Sequence, residues 1–197
     1  MIQADKALCQ GEHQSDSAQN ESSIKLTLSP EDRNCKPQDA KRENSLLNSS
    51  NTVEITSEEF EKYVIAPHSR SWCGAVLSEK RISRNFLQIQ VVALDFDNDP
   101  EKLTTKGLTL ITPAQVEMRC KEEGLDISLI YTSFSDQPNQ RKFRAVWILA
   151  KPVDQLSDAK KIVKQLMALF PEADDSCKDP IRMWYGGRAR IGGNIHY

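Results

Sequence analysis

Residues 88–98 read QIQVVALDFDN, and this stretch decides how the rest of the chain is interpreted. Its apolar and β-branched residues predict a buried strand over 88–96, which the turn-forming pair Asp99-Pro100 ends. Because side chains alternate along a strand, Asp95 and Asp97 should point the same way at its end. Two neighbouring carboxylates are costly to bury unless a cation lies between them. The stretch therefore predicts an oxygen-only site for a divalent metal ion, of the kind that serves phosphate chemistry.

The elements after this strand predict an α+β fold. A proline near a helix start, glycines after helix ends and polar turns divide the chain into regular segments. We expect strands over 88–96, 126–134, 142–150 and 181–185, and helices over 113–122 and 157–170. The resulting order, β-α-β-β-α-β, is ferredoxin-like or RRM-like: an antiparallel sheet with helices on one face. The other face is expected to be open, with the acidic pair at its edge.

The first fifty or so residues differ in composition from the rest. They are poor in apolar side chains and rich in Ser, Asn, Gln, Asp and Glu, so they cannot bury enough apolar surface to offset their chain entropy. Residues 1–52 are predicted to be a disordered polar tail. Residues 53–197 are predicted to be the catalytic domain, truncated at its C-terminal end because no clear closing element follows.

Composition also bears on the location of the chain, its partners and the state of its cysteines. No segment has the length and apolarity of a signal peptide or a membrane span, so we expect a cytoplasmic protein without a membrane partner. The net charge of −2 offers no global argument for nucleic acid. Five scattered cysteines without a C-x-x-C pair predict free thiols instead of a zinc site or a disulfide framework.

Three further polar clusters fall near the ends of the predicted strands. They are YTSFSD at 131–136, KFR at 142–144 and ADDSCKDPIR at 173–182. Together they offer carboxylates for metal ions, hydroxyl groups for phosphate oxygens and guanidinium groups for a polyphosphate. In-line nucleotidyl transfer needs these groups, because metal ions clamp the triphosphate and the attacking hydroxyl.

Four motifs in order resemble the catalytic domain of archaeo-eukaryotic primases, and most of all the primase-polymerase domains of bacterial phages and plasmids. They are DFD at 95–97, TSFSD at 132–136, KFRAVWIL at 142–149 and ADDSCKDPIRMWYGG at 173–187. The resemblance covers residues 72–187. It implies an RRM-like core and a nucleotidyltransferase that uses nucleoside triphosphates and Mg²⁺ or Mn²⁺ on a single-stranded DNA template. The product, RNA or DNA, stays open, and the truncated end is expected to continue into a replicative helicase.

The resemblance also implies roles for individual residues. The catalytic metal ligands are Asp95, Asp97 and Asp174, with Asp175 and Asp179 as competitors for the third place. The nucleotide-binding residues are Ser133, Ser135, Arg144 and Arg182. The family's second motif commonly has a histidine after its serine, whereas this chain has Asp136. A carboxylate would repel phosphate directly, so the role of Asp136 stays open.

Two alternatives fit part of the same pattern. A haloacid dehalogenase-like phosphatase would use Asp95 as nucleophile, with Ser133, Lys160 and the pair Asp174-Asp175. Its parallel sheet disagrees with the predicted hairpin, and Asp99 stands where that family has Thr or Val. A non-catalytic RRM-like module would instead bind single-stranded nucleic acid on its open face. Its aromatic signature is missing, and we interpret Trp147 and Trp184 as core residues.

Overall fold

The computed structural model describes residues 23–194, which form a mixed α+β fold with two antiparallel sheets. The strands are β1 (Ser23–Leu28), β2 (Thr52–Thr56), β3 (Trp72–Cys73), β4 (Ala75–Leu77), β5 (Phe86–Phe96), β6 (Leu129–Ser133), β7 (Phe143–Val153) and β8 (Gly187–Gly192). The helices are α1 (Ala40–Leu46), α2 (Ser57–Val64), α3 (Pro100–Thr105), α4 (Pro113–Glu122) and α5 (Leu156–Leu169). Short 3₁₀ turns span Ser49–Asn51, Ser83–Asn85 and Asp175–Lys178.

The larger sheet has the strand order β4-β5-β7-β6-β8, and every neighbouring pair is antiparallel. The predicted hairpin is confirmed, because β6 and β7 pair directly. The register places Asp95 opposite Arg144 and Arg144 opposite Tyr131. These three side chains therefore lie in one row across the sheet.

The last strand differs from the prediction. Residues 181–185 are not a strand; Trp184 instead exchanges backbone hydrogen bonds with Trp72 of β3, at 2.7 and 2.8 Å. The strand forms at β8, where a Cβ on Gly187 would lie 2.0 Å from the Thr132 carbonyl oxygen, so only glycine permits this approach. Because β8 borders β6 while β4 occupies the free edge of β5, the predicted RRM-like strand order is not confirmed.

The two faces of the larger sheet are covered by different layers. Helices α4 and α5 bury Val116, Cys120, Ala159, Val163 and Leu166 among the apolar residues of one face. The smaller sheet, with the order β2-β1-β3, lies against the other, where Trp72 of β3 donates a hydrogen bond to the Tyr131 hydroxyl. The expectation of an open face is therefore wrong. Trp147 and Trp184 are buried core residues, as predicted.

The prediction of a disordered tail is wrong for residues 23–52, and residues 1–22 lie outside the described range. The strand β1 alternates polar residues with Ile24, Leu26 and Leu28, which are buried and form the centre of the smaller sheet. Composition averaged over fifty residues hides this period-two pattern, because six residues contribute little to the mean. Within the described range no helix is long and apolar enough to cross a membrane.

The antiparallel sheet also bears on the alternatives. A haloacid dehalogenase-like phosphatase has a parallel, doubly wound sheet, whereas every strand pair here is antiparallel. Lys160, its candidate lysine, lies exposed on α5. The RRM-like binding module needs an accessible sheet face, and both faces are covered. The fold therefore disfavours both alternatives as they were formulated.

Candidate active site

Asp95 lies at the end of β5 with two arginines against its carboxylate. One oxygen accepts a hydrogen bond from Arg144 Nη2 at 3.1 Å, and Arg182 Nη2 lies 3.8 Å from the other. The Arg144 and Asp95 side chains are only 5% and 15% exposed, so the contact between them is shielded from water, whereas Arg182 is 25% exposed. A partly buried carboxylate needs a positive charge nearby, and in this structure the two arginines provide it for Asp95.

Arg144 is buried, with 4% of its surface exposed, and is held from several sides. Its Nη1 donates to the Tyr131 hydroxyl at 3.0 Å and to the Tyr185 carbonyl oxygen, and its guanidinium lies over the Tyr131 and Trp184 rings. Burial opposes the charge, but Asp95 and Tyr131 outweigh it and raise the pKa of Arg144. Arg144 is therefore a fixed cation that orients Asp95, and its burial argues against the predicted direct contact with a triphosphate.

Asp174 lies beside Asp95, as the sequence motifs imply. Its backbone N–H donates to the Asp95 carbonyl oxygen at 2.9 Å, which ties the segment after α5 to the end of β5. Its carboxylate caps the 3₁₀ turn by accepting from Ser176 N at 2.7 Å and lies 4.0 Å from Arg182 Nη1. Burial would raise the pKa of Asp174, but the Ser176 hydrogen bonds, with Arg182 and Lys102, hold it below its ordinary value.

The two competitors of Asp174 have other partners. Asp175 is exposed and pairs with Lys106 Nζ at 2.7 Å. Asp179 accepts from Ile181 N at 3.1 Å and so caps a turn. Of the three aspartates, only Asp174 is hydrogen-bonded to Asp95. The geometry therefore favours Asp174 as the partner of the first motif.

Asp97 lies beyond the end of β5 and is more accessible than Asp95, with a side chain that is 38% exposed. Lys142 Nζ lies 3.6 Å from its carboxylate. Lys142 opens the predicted third strand but was not assigned to the site from the sequence. Its position follows from the register, because it precedes the paired residues Phe143 and Phe96.

A cleft of about 320 Å³ opens beyond the end of β5. One wall is the turn at 97–99 with α3, and the other is the segment 172–176. Asp97 and Asp174 line it together, with two lysines, Lys102 and Lys106, that follow the turn. The sequence motifs did not indicate these lysines, because Lys102 lies on α3 and Lys106 at its C-terminal cap, and the sequence did not predict this helix.

Asn98 fixes the turn that forms this cleft. It is buried and adopts a left-handed conformation, with φ 45°. Its side chain donates to the carbonyl oxygens of Ile111 (2.8 Å) and Arg141 (3.0 Å) and accepts from Ile111 N (3.0 Å). An asparagine between two aspartates is a turn signal in the sequence, but the inward direction of its amide is not predictable.

We expect Asn98→Ala to destabilise the protein by about 3 kcal/mol, because it leaves two buried backbone groups of Ile111 and the part-buried Arg141 carbonyl oxygen without this partner, in a backbone conformation that alanine disfavours. Urea unfolding measures this change. Asn98→Gly removes the same hydrogen bonds but tolerates the backbone conformation, so it should cost about 1 kcal/mol less. Asn139→Ala, in an exposed turn, is the matched control. Equal costs for Asn98→Ala and Asn139→Ala would contradict this assignment.

Cys177 is another residue to which the sequence analysis assigned no role at this site. Its buried Sγ accepts a hydrogen bond from the Asp95 backbone N–H at 3.3 Å. Burial raises the pKa of this thiol to about 11, so it stays neutral. The thiol therefore helps to seat the 3₁₀ turn against β5. The four cysteines in the described range are free, as predicted, and Cys9 lies outside it.

The serines of the second motif are not among the residues that line this cleft. Ser133 Oγ accepts from Ser135 N at 3.2 Å, and neither side chain bonds to Asp95 or Asp174 among the contacts of residues 23–194. Asp136 accepts from Lys142 N at 2.7 Å and pairs with Arg141 at 3.3 Å. It therefore closes the β6–β7 hairpin, which gives a structural role to the residue at the histidine position.

The oxygen donors of the cleft fit a magnesium ion that is shared with substrate phosphates. Mg²⁺ is commonly held by one or two carboxylates and completes its shell with phosphate oxygens and water. Asp97 and Asp174 are two partly exposed carboxylates on one cleft. Among residues 23–194, no three His, Cys, Asp or Glu side chains are grouped so that they could hold a metal ion.

Comparison with known proteins identifies no family for this chain. No protein-family model matches it, and no curated protein matches its sequence. Among solved structures, it is similar to the AEP domain of the cyanophage S-2L primase-polymerase (PrimPol), with a TM-score of 0.39 and 13% identity over 88% of this chain and 74% of that one. A likeness at this level is too weak to support a function.

Proposed function

We propose that this chain is a primase-polymerase-type nucleotidyltransferase, which transfers nucleotides from nucleoside triphosphates on a single-stranded DNA template with Mg²⁺ or Mn²⁺. One observation carries the proposal. Carboxylates of the first and last motifs, Asp97 and Asp174, line a single cleft next to Asp95, and cationic side chains surround it. A phosphoryl-transfer site needs both kinds of group at one place.

Each residue of the cleft has a part in this proposal. Asp97 and Asp174 would hold the metal ion, whose chemistry is to neutralise the polyphosphate and activate the attacking hydroxyl. Asp95 would support this site from beside the cleft without completing a three-carboxylate group, because Arg144 occupies one of its oxygens and keeps the carboxylate in one orientation. Arg182, stacked at 4.8 Å over the Trp184 ring and partly exposed, would donate to phosphate oxygens.

The proposal predicts template-dependent synthesis by the purified protein. Single-stranded DNA, labelled nucleoside triphosphates and Mg²⁺ or Mn²⁺ should give extended products on a denaturing gel, and chelation of the metal should abolish them. Separate reactions with ribonucleotides and deoxyribonucleotides identify the product.

Two other outcomes would contradict the proposal. Release of phosphate from small phosphoesters, without any extension, would indicate a phosphatase. Binding of single-stranded DNA without turnover under all these metal and nucleotide conditions would indicate a binding module.

A further inference from the structure

The cleft contains more acidic than basic groups, and most of its carboxylates are already engaged. Asp99 accepts from two backbone N–H groups at the start of α3. Glu172 makes two 3.0 Å contacts with Arg119. Asp175 pairs with Lys106. Asp97 and Asp174 have no short ion pair, because their nearest cations are 3.6 and 4.0 Å away, although one Asp174 oxygen also accepts from Ser176 N.

Lys102 and Lys106 lie on the same wall of this cleft as Asp97, across from Asp174. They are four residues apart along α3 and its C-terminal cap, so their side chains share one face. Lys102 makes no ion pair with any residue in the range 23–194, although its charge acts on Asp174. Lys106 is held by Asp175, whose side chain is 78% exposed, and water weakens such a pair. Both ammonium groups can therefore be offered to a ligand.

The balance of charges defines the ligand. A free polyphosphate would be repelled by the carboxylates of Asp97 and Asp174, and a free metal ion would be repelled by the lysines. A metal–polyphosphate complex suits both kinds of side chain. Its cation can be bound by the carboxylates, and its outer phosphate oxygens can accept hydrogen bonds from the lysines. The cleft volume of about 320 Å³ is within the size range of small-ligand sites.

We propose that Lys102 and Lys106 form the polyphosphate-binding wall of this cleft, and that the cleft takes magnesium–polyphosphate in preference to the free anion. This inference rests on the proposed function and assigns to α3 a role that none of the sequence motifs indicates. In the absence of ligand, Lys106 forms an ion pair with Asp175. Polyphosphate binding must then displace the carboxylate of Asp175 from Lys106.

Isothermal titration calorimetry with inorganic tripolyphosphate tests this proposal without any need for nucleotide transfer. With saturating Mg²⁺, the wild-type protein should bind the probe, and Lys102→Ala and Lys106→Ala should each weaken binding by about tenfold, the effect of one lost charge-assisted hydrogen bond. Lys164→Ala, an exposed lysine on α5, is the matched control and should bind like the wild type.

Asp175→Asn provides a test of opposite sign. Because it releases Lys106 from its competing carboxylate, it should tighten binding about twofold to threefold, as expected for the loss of an exposed ion pair. Since both groups are exposed, thermal unfolding of this variant should match that of the wild type.

Several outcomes would overturn the proposal. They are undiminished binding by the Lys102 and Lys106 variants, binding that persists unchanged in EDTA, and no binding of tripolyphosphate at all. Nucleotide transfer is measured separately with the same proteins. Transfer that is unaffected in the lysine variants refutes this inference alone, whereas tripolyphosphate binding without transfer refutes the proposed function alone.

Discussion

Replacing Asp97 and Asp174 together with asparagine is expected to reduce nucleotide transfer by at least about 100-fold, the scale on which enzymes lose activity when a preorganised electrostatic group is removed. Asparagine keeps the shape of each side chain and removes the negative charge that a metal ion requires. Both side chains are partly exposed, at 38% and 22%, so the fold should tolerate the change.

The measurement is the rate of primer synthesis or extension at saturating nucleoside triphosphate. Asp154→Asn, at an exposed position after β7, controls for the loss of a surface carboxylate and should keep wild-type activity. The single variants should be nearly as inactive as the double variant, because ligands of one site act as a unit. Wild-type rates in the double variant would refute the assignment of both carboxylates.

Asp95 is the less suitable target for that experiment. Its loss would leave the buried guanidinium of Arg144 without its carboxylate, so a loss of activity could come from unfolding. The contribution of the Asp95–Arg144 pair to the stability of the fold is therefore tested separately.

Arg144→Met is expected to destabilise the protein by about 3–5 kcal/mol, the usual cost of breaking a buried ion pair by removing one partner. Methionine preserves much of the volume and apolar contact but leaves Asp95 with only the distant Arg182. It also removes one of two donors to the Tyr131 hydroxyl, beside Trp72 Nε1, and one of two donors to the Tyr185 carbonyl oxygen, beside the Tyr131 hydroxyl. Urea unfolding with a two-state fit gives the free-energy change.

Two further variants give this prediction its control. Arg182→Met removes the other, partly exposed arginine and should cost no more than about 1 kcal/mol, because water screens that contact. The double variant Asp95→Asn, Arg144→Met should recover part of the loss, since no unpaired buried charge remains. If the two arginine variants cost the same, or if the double variant shows strictly additive losses, Arg144 does not act through Asp95.

Much of the site was predictable from local sequence patterns. The run before Asp95 predicts a buried strand because its residues suit a layer that is covered on both sides. The hairpin between β6 and β7 follows from two apolar runs around a polar turn. The position of Asp174 beside Asp95 was implied by the order of the motifs, and the hydrogen bond between their backbones agrees with it.

Other features depended on contacts between residues that are distant in the sequence. The tail prediction failed over 23–52 because β1 is stable only through its pairing with β2 and β3. The fourth strand was predicted over 181–185, but that segment pairs at Trp184 with Trp72, more than a hundred residues earlier. Local propensity does not contain such pairings, since they depend on which edges the fold leaves free.

The sequence by itself determined which chemistry is available: an acidic pair at the end of a buried strand, a later aspartate, and arginines in ordered motifs. Only the tertiary structure decided how those groups are used. It buried Arg144 against Asp95, opened Asp97 and Asp174 to a cleft, and brought Lys102 and Lys106 to the same cleft. The physical reason is that strand patterns are local, whereas burial and charge pairing depend on how layers pack.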